Sequence, residues 1–269
     1  MQRQPIFNVP SVVLALIAAF VLIHGVREYG LSEEQDGRLL LNFAFVPARF
    51  SLLFDPDGVA DAFSQFAGRR GRALESAARF WLGDGRALWW SPLSYSFLHS
   101  DWVHCAVNSV WLAAFGTPVA RRFGGVRFLA LFAVTAIAGA GVHWGLHRFD
   151  FSPVVGASAA VSGAMAAACR FIFQPGAPLG EGFNFGTGDG SAYRQPAVRI
   201  GRVLTDRRAM PFIALWFGVN FLFGVGAQPL GLSDNPVAWE AHIGGFLAGL
   251  LLFAAFDPVH RNAGDEARW

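Results

Sequence analysis

Apolar segments long enough to cross a membrane constrain this chain more than any other feature. The first, 9–26, carries no charged residue over 18 positions. At about 1.5 Å per residue, a helix of that length covers most of a ~30 Å hydrocarbon core. The composition agrees, because 54% of the 269 residues are hydrophobic and only 15% are charged, which is unusual for a soluble domain. We therefore predict an all-α, polytopic membrane protein, a bundle of six transmembrane helices in the lipid bilayer. The spans are placed at about residues 9–26, 93–119, 128–146, 153–173, 209–226 and 237–256.

A cleaved signal peptide is the alternative for the first apolar segment. We favour a membrane anchor, because five further spans follow and no cleavage site of small residues follows Val26 and Arg27. In the long outer loop, 27–88, the stretch 73–82 has a helical apolar pattern that fits either an interfacial helix or one packed on the bundle. The remaining predicted regions are a cytoplasmic N-terminus at 1–8, a flexible cytoplasmic loop at 174–208 and a cytoplasmic tail at 257–269, which flank or interrupt the membrane domain at 9–256.

Arginines in the short loops predict the orientation, since cytoplasmic loops carry the excess of basic residues. Only Arg148 lies in a short loop on the outer side. Both termini are then cytoplasmic, and the fourth and sixth spans begin at the outer face. The net charge of +2 gives no indication of nucleic-acid binding. The arginines on the opposite, cytoplasmic side are Arg3, Arg121, Arg122, Arg127, those from Arg170 to Arg208, Arg261 and Arg268.

Ser158 and His242 are the candidate catalytic pair. Ser158 starts a helix of small residues in the fourth span, and His242 lies near the start of the sixth, so both are expected one or two turns below the outer surface. A serine hydroxyl is a weak nucleophile until a neighbouring imidazole takes its proton. Glu240 projects to a different helix face from His242, so we predict a Ser-His dyad without an acid.

A polar run in the second span supplies candidate donors for an oxyanion. His104 and Asn108 are four residues apart and therefore share one helix face, whereas His99, five residues upstream, is expected to point elsewhere. Polar groups inside a membrane usually face the bundle interior or a wet cavity. The backbone N–H of Ser158, free at a helix start, is a third donor. The alternative for His104 and Asn108 is a purely structural hydrogen-bonding pair.

Small residues around the candidate pair are expected to support it by close helix packing. Gly156 and Ser162 lie on the seam of the serine helix, and Gly245 forms a G-x-x-x-G pattern with Gly249 beside His242. The two cysteines, Cys105 and Cys169, are interpreted as core residues. No metal and no cofactor are expected, since serine hydrolysis needs only water.

Three separated motifs in this order resemble those of the rhomboid intramembrane serine proteases of bacteria. They are His99-x4-His104-x3-Asn108, Gly156-Ala157-Ser158 and Ala241-His242-x-Gly244-Gly245. The resemblance implies a multi-pass protein of the bacterial inner membrane that cleaves transmembrane protein substrates near the outer ends of their membrane segments. It implies Ser158 as nucleophile, His242 as general base, and His104, Asn108 and the Ser158 amide as oxyanion donors. It also implies substrate access between the second and fifth spans, beneath a flexible cap at 227–236.

Two positions depart from the family pattern. Ala159 stands where the serine motif usually has a second glycine, and Ser162 stands where many members carry an aromatic residue beneath the base. The extra methyl of Ala159 is expected to fit a packed helix or to narrow the oxyanion site. Two other functions remain as alternatives. One is a catalytically silent rhomboid-like protein that binds membrane clients, and the other is a carrier or haem or metal protein that uses His99, His104, His143 and His242.

Overall fold

The protein is helical throughout the part of the chain that the structure describes. Among the described residues, no strand is present beyond an isolated antiparallel bridge between Phe45 and Val154. The predicted all-α class is therefore confirmed. The computed structural model describes residues 9–70, 72–179, 191–222 and 238–259.

The α-helices of the described residues are numbered in chain order. A π-helical turn, Leu112–Gly116, joins α7 to α8, and together they form one rod from Trp102 to Phe123. Short 3-10 helices lie at Tyr95–Phe97 and Ser191–Arg194. The α-helices are α1 Ser11–Gly30, α2 Glu33–Phe43, α3 Pro47–Ser51, α4 Pro56–Arg70, α5 Arg72–Leu82, α6 Ser91–Ser94, α7 Trp102–Trp111, α8 Thr117–Phe123, α9 Gly125–Leu146, α10 Ser158–Cys169, α11 Ile200–Val203, α12 Ala209–Phe221 and α13 Trp239–Phe256.

Every predicted span contains an apolar helix, but not all of these helices have spanning length. Among the described residues, α1, the α7–α8 rod, α9 and α13 are long and apolar enough to cross a membrane. The apolar helices α10 and α12 are shorter, at 12 and 13 residues. The chain is therefore a polytopic membrane protein, and the count of six spans stays a prediction.

Three predicted span boundaries differ from the observed helices. The first span continues to Gly30, because the charge of Arg27 at its end is buried and neutralised by Asp36.

The second helix begins at Trp102 rather than near residue 93, because the Asp101 side chain accepts the His104 N–H at 2.8 Å and caps the helix there. The fourth begins at Ser158 rather than near 153. The positive φ of Gly156, +124°, interrupts the helical conformation before it.

The predicted long loop at 27–88 is largely helical, comprising α2 to α5. A buried arginine, Arg49, holds it together by donating to the carbonyl oxygens of Leu41 and Arg86 and to Asp84 Oδ1. The backbone N–H of Arg86, together with the Arg49 guanidinium, lowers the pKa of Asp84 below its usual range. The helix predicted at 73–82 is α5, and its buried Ala78 packs into a small apolar cluster with Ala48, Val59 and Phe151.

The core of the bundle is formed by α9, α10 and α13. Eleven of the twelve residues of α10 are buried, so this helix is enclosed on all sides by protein. Half of its residues are alanine, which allows neighbouring backbones to approach closely. By contrast, α12 buries only Ala209 and Ile213 and lies at the margin of the bundle.

Glycines set the register between α10 and α13. A Cβ on Gly245 would fall onto the Ala159 carbonyl, and a Cβ on Gly249 would fall onto the Gly163 carbonyl. From the first contact to the second, the contact residue advances by four positions along both α10 and α13. The two helices therefore run parallel and begin at the same end of the bundle. The residue pairs 159–245 and 163–249 therefore predict that the starts of the two helices lie side by side.

The opposite end of α13 is held by a buried ion pair. The Arg122 guanidinium, whose side chain is 0% exposed, donates to both carboxylate oxygens of Asp257 at 2.9 Å and also to the carbonyl oxygens of Tyr193 and Gln195. Such a bidentate pair fixes orientation as well as distance. It ties the end of α13 to the end of α8.

The close contact between α10 and α13 should tolerate no added methyl at Gly249. We expect Gly249→Ala to lower the free energy of unfolding by about 1–3 kcal/mol or more, because the Gly163 backbone cannot yield without moving α10. Gly141→Ala on α9 is the matched control, since its Cβ would meet nothing within 4 Å. Thermal unfolding in detergent that leaves both variants equally stable would contradict the assigned packing.

Candidate active site

Ser158 is the first residue of α10 and follows a turn that only glycine adopts easily. Gly156 has φ +124° and donates its N–H to the Tyr95 carbonyl at 3.0 Å. A Cβ at Gly156 would lie 2.7 Å from Cε1 and Nε2 of His104 and 3.7 Å from Ser158 Oγ. The glycine therefore gives the His104 ring space beside the serine. As at any helix start, the Ser158 N–H is not needed for the intrahelical ladder.

The candidate base lies beside this turn. His242 is one helical turn before Gly245, which touches the backbone of Ala159, and both Ser158 and His242 are half-buried. Gly139 of α9 lies against both the Ala159 methyl and the Ala241 carbonyl. The residue after Ser158 and the residue before His242 therefore contact the same point on α9. In the described part of the chain, Ser158 and His242 are not hydrogen-bonded to each other.

A residue of α12 orients the His242 ring. The Asn220 Oδ1 contacts His242 Nδ1, while Asn220 Nδ2 donates to the Trp216 carbonyl at 2.8 Å. Because the amide nitrogen is used in this way, the oxygen faces the histidine and can only accept. Neutral His242 must then carry its proton on Nδ1, which leaves the Nε2 lone pair available to act as a base. The Trp216 ring lies 6.5 Å from the His242 ring.

His104 and Asn108 share one face of α7, as their spacing predicts. Asn108 is buried and donates one amide hydrogen to the His104 carbonyl at 3.0 Å, which leaves its second amide hydrogen free of that bond. His104 Nδ1 lies 3.4 Å from the Ser100 N–H and 3.1 Å from the Ser100 hydroxyl. A backbone N–H can only donate, so Nδ1 accepts and neutral His104 carries its proton on Nε2, the atom that faces Gly156.

The prediction that His99 points away from His104 is wrong. It assumed one continuous helix through both residues, whereas α7 begins only at Trp102. The His99 ring is fully buried and lies edge-on to His104 at 5.2 Å, with Phe20 at 5.1 Å on its other side. Its carbonyl accepts from Arg27 at 2.6 Å. His99 therefore packs against the His104 ring, and its own ring nitrogens make no hydrogen bond within the described residues.

The two departures from the family pattern are accommodated by neighbouring residues. The Ala159 methyl packs against Gly139 of α9, where an added Cβ would collide with it, so it points away from His104. The Ser162 hydroxyl donates to the Ser158 carbonyl at 2.6 Å and stays within its own helix. The aromatic ring of Trp216 on α12 lies 6.5 Å from the His242 ring and stacks on Phe246 at 5.2 Å.

Sequence reasoning missed Asn220 and Ser100. Asn220 is a polar residue in an otherwise apolar span, and such residues usually face the interior of a bundle, so a signal existed. No sequence signal pointed to Ser100, because its contact with His104 depends on where α7 begins.

Glu240 was predicted not to orient His242, and the two side chains are not hydrogen-bonded within the described residues. The Glu240 carboxylate contacts His147 at 2.9 Å. The predicted cap at 227–236 lies outside the described residues.

Comparison with known proteins identifies the family. A profile of the rhomboid domain matches residues 86–257, which is more than half of the chain and contains α6 to α13. The chain belongs to the rhomboid family. The rhomboid protease GluP of Bacillus subtilis (strain 168) is 36% identical over 81 residues, which are 29% of this chain and 15% of that protein. The match therefore spans well under two thirds of the length of this relative.

The position of Asn220 predicts the tautomer of His242. In protein labelled with 15N-histidine, we expect the Nδ1 of His242 to carry the proton in the wild type, and Asn220→Ala to give a mixture of tautomers because the acceptor is lost. Gly218→Ala on the same helix is the control, since its Cβ meets nothing within 4 Å. An unchanged His242 spectrum in Asn220→Ala would show that Asn220 does not orient the ring.

Proposed function

We propose that this rhomboid protein is an intramembrane serine endopeptidase that cleaves transmembrane segments of membrane-protein substrates. The observation that carries the proposal is the parallel packing of α10 and α13, the two helices whose first turns contain Ser158 and His242. Membership of the rhomboid family and the partial match to a protein named as a rhomboid protease support it. In this proposal both termini face the cytoplasm of a bacterium and the site opens toward the outer face of its inner membrane.

In the proposed reaction, His242 Nε2 takes the proton of Ser158 Oγ as that oxygen attacks the scissile carbonyl carbon. The C–N bond of the tetrahedral intermediate then breaks, and the imidazolium of His242 gives its proton to the leaving amine. Water, deprotonated by the same imidazole, attacks the acyl-enzyme, and its breakdown returns the proton to Ser158. Asn220 Oδ1 accepts the hydrogen bond of His242 Nδ1–H and so orients the imidazole ring. The proposed arrangement is a Ser-His dyad in which a neutral amide stands where a triad has an acid.

Three donors are assigned to the oxyanion. They are the Ser158 N–H, the His104 Nε2–H and the free amide hydrogen of Asn108. Donors held in place before the reaction stabilise developing charge most strongly where water is scarce. The buried Asn108 and the His99 ring behind His104 keep these groups from moving during the reaction.

Substrate access is proposed between α7 and α12. The helix α12 contacts the α7–α8 rod through Phe212 and Phe115, 5.1 Å apart, near the end remote from Ser158. Toward the Ser158 end, Val219, Phe221 and Leu222 of this region stay exposed. In this proposal the Ser158 end of α12 moves away from α7 while its contacts with α13 and the Phe212 contact remain, and a transmembrane segment enters from the lipid through the gap.

The proposal is tested by labelling the detergent-purified protein with a fluorophosphonate serine probe. We expect labelling of the wild type and its loss in both Ser158→Ala and His242→Ala, because the hydroxyl reacts only when the base activates it. Loss of cleavage of a model transmembrane substrate should accompany it. A wild type that is folded but neither labels nor cleaves would overturn the proposal and leave client binding without cleavage as the function.

The oxyanion assignment predicts separate kinetic effects. We expect His104→Ala and Asn108→Ala each to lower kcat for a model substrate by about 10² to 10³ with little change in KM, since these donors act mainly in the transition state. Ser109→Ala is the matched control, because its hydroxyl donates to the Cys105 carbonyl on the same helix. Equal kcat values for Asn108→Ala and Ser109→Ala would remove Asn108 from the site.

A further inference from the structure

A second cluster of ligating side chains lies where α9 ends and α13 begins. His143 lies in the last turn of α9 and His147 is the residue that directly follows this helix, and their ring centroids are 4.8 Å apart. Glu240, near the start of α13, faces both. Its Oε1 lies 2.9 Å from His147 Nε2 and its Oε2 lies 3.5 Å from His143 Nδ1. Neither the proposed reaction nor the family motifs use any of these residues.

One ring nitrogen of this cluster lacks a hydrogen bond, although the Glu240 carboxylate lies near it. His143 is 6% exposed, and within the described residues its Nδ1 is buried and makes no hydrogen bond. A buried polar atom without a hydrogen bond destabilises the folded protein. The hydrogen bond between His147 and Glu240 accounts for the position of those two side chains. It leaves His143 Nδ1 without a hydrogen bond. An ion that accepts the lone pair of Nδ1 would satisfy all three side chains together.

We propose that His143, His147 and Glu240 form a binding site for a divalent transition-metal ion of the zinc type. One ligand atom from each residue lies within 4.8 Å of the others. Around a tetrahedral zinc ion with bonds of about 2.0–2.2 Å, ligand atoms are about 3.4 Å apart, so small side-chain rotations suffice. Two imidazoles and one carboxylate are ligands that suit zinc, and water would complete the coordination. His147 is 42% exposed, which gives an ion a route from solvent.

A bound ion would join α9 to the start of α13. Glu240 precedes His242 by two residues, so the ion would restrain the helix turn that carries the candidate base. The site itself does not depend on the protease function, because its three ligands lie outside the candidate active site. Metal binding can therefore be measured whether or not the protein cleaves a substrate.

The experiment uses the full chain purified with a tag that contains no histidine and stripped with a chelator. Zn²⁺ binding is measured by calorimetry and elemental analysis, and Co²⁺ serves as an optical probe of tetrahedral coordination. We expect one ion per chain in the wild type, with a raised Tm. In His147→Ala and in Glu240→Gln we expect the Kd for Zn²⁺ to rise by at least about 100-fold, since a direct ligand is lost.

Glu28→Gln is the control, because it removes an exposed carboxylate of α1 outside the cluster. It should bind Zn²⁺ as the wild type does. Metal-free thermal unfolding establishes that each variant is folded. A wild type that binds no Zn²⁺, or cluster variants that bind it with the wild-type Kd and the same Co²⁺ spectrum, would overturn the proposal and leave a simple hydrogen-bonded pair.

Discussion

The close backbone contact between α10 and α13 is the constraint on which the rest of this structure depends. In a bilayer the lipid is as apolar as a leucine side chain, so helices associate through close packing rather than through the hydrophobic effect. Gly245 and Gly249 let α13 lie directly on the backbone of α10, and Gly139 makes room for the Ala159 methyl on the other side. Because the two helices run parallel in this register, their first turns, which contain Ser158 and His242, lie at the same end of the bundle.

The candidate base depends on a helix that is less firmly held. Asn220 and Trp216 orient the His242 ring, yet α12 buries little of its surface. A transmembrane substrate that moved α12 would therefore also affect the tautomer and position of His242. By contrast, α13 is tied to other helices at both ends, by Glu240 with His147 and by Asp257 with Arg122. The helix that carries His242 is thus fixed at both ends, whereas the orientation of its ring depends on the neighbouring helix α12.

Much of this architecture could be predicted from the sequence, because apolar length and small-residue spacing are local properties. The helical class, the apolar helix in every span and the shared face of His104 and Asn108 follow from them. Helix starts were less predictable, since Asp101 begins α7 by capping and Gly156 delays α10 by its positive φ. The position of His99 was wrong for that reason. Asn220 was missed because its partner is 22 residues away on another helix, a distance that no local pattern encodes.

The most direct test of the account is an experimental structure of the protein after reaction with a fluorophosphonate. The account predicts phosphorus bonded to Ser158 Oγ, with a phosphonyl oxygen about 2.7–3.1 Å from the Ser158 amide, His104 Nε2 and the Asn108 amide nitrogen. His242 should remain beside Asn220 with Nε2 facing the serine. A phosphonyl group on another residue, or an oxygen directed away from these donors, would contradict the assigned site.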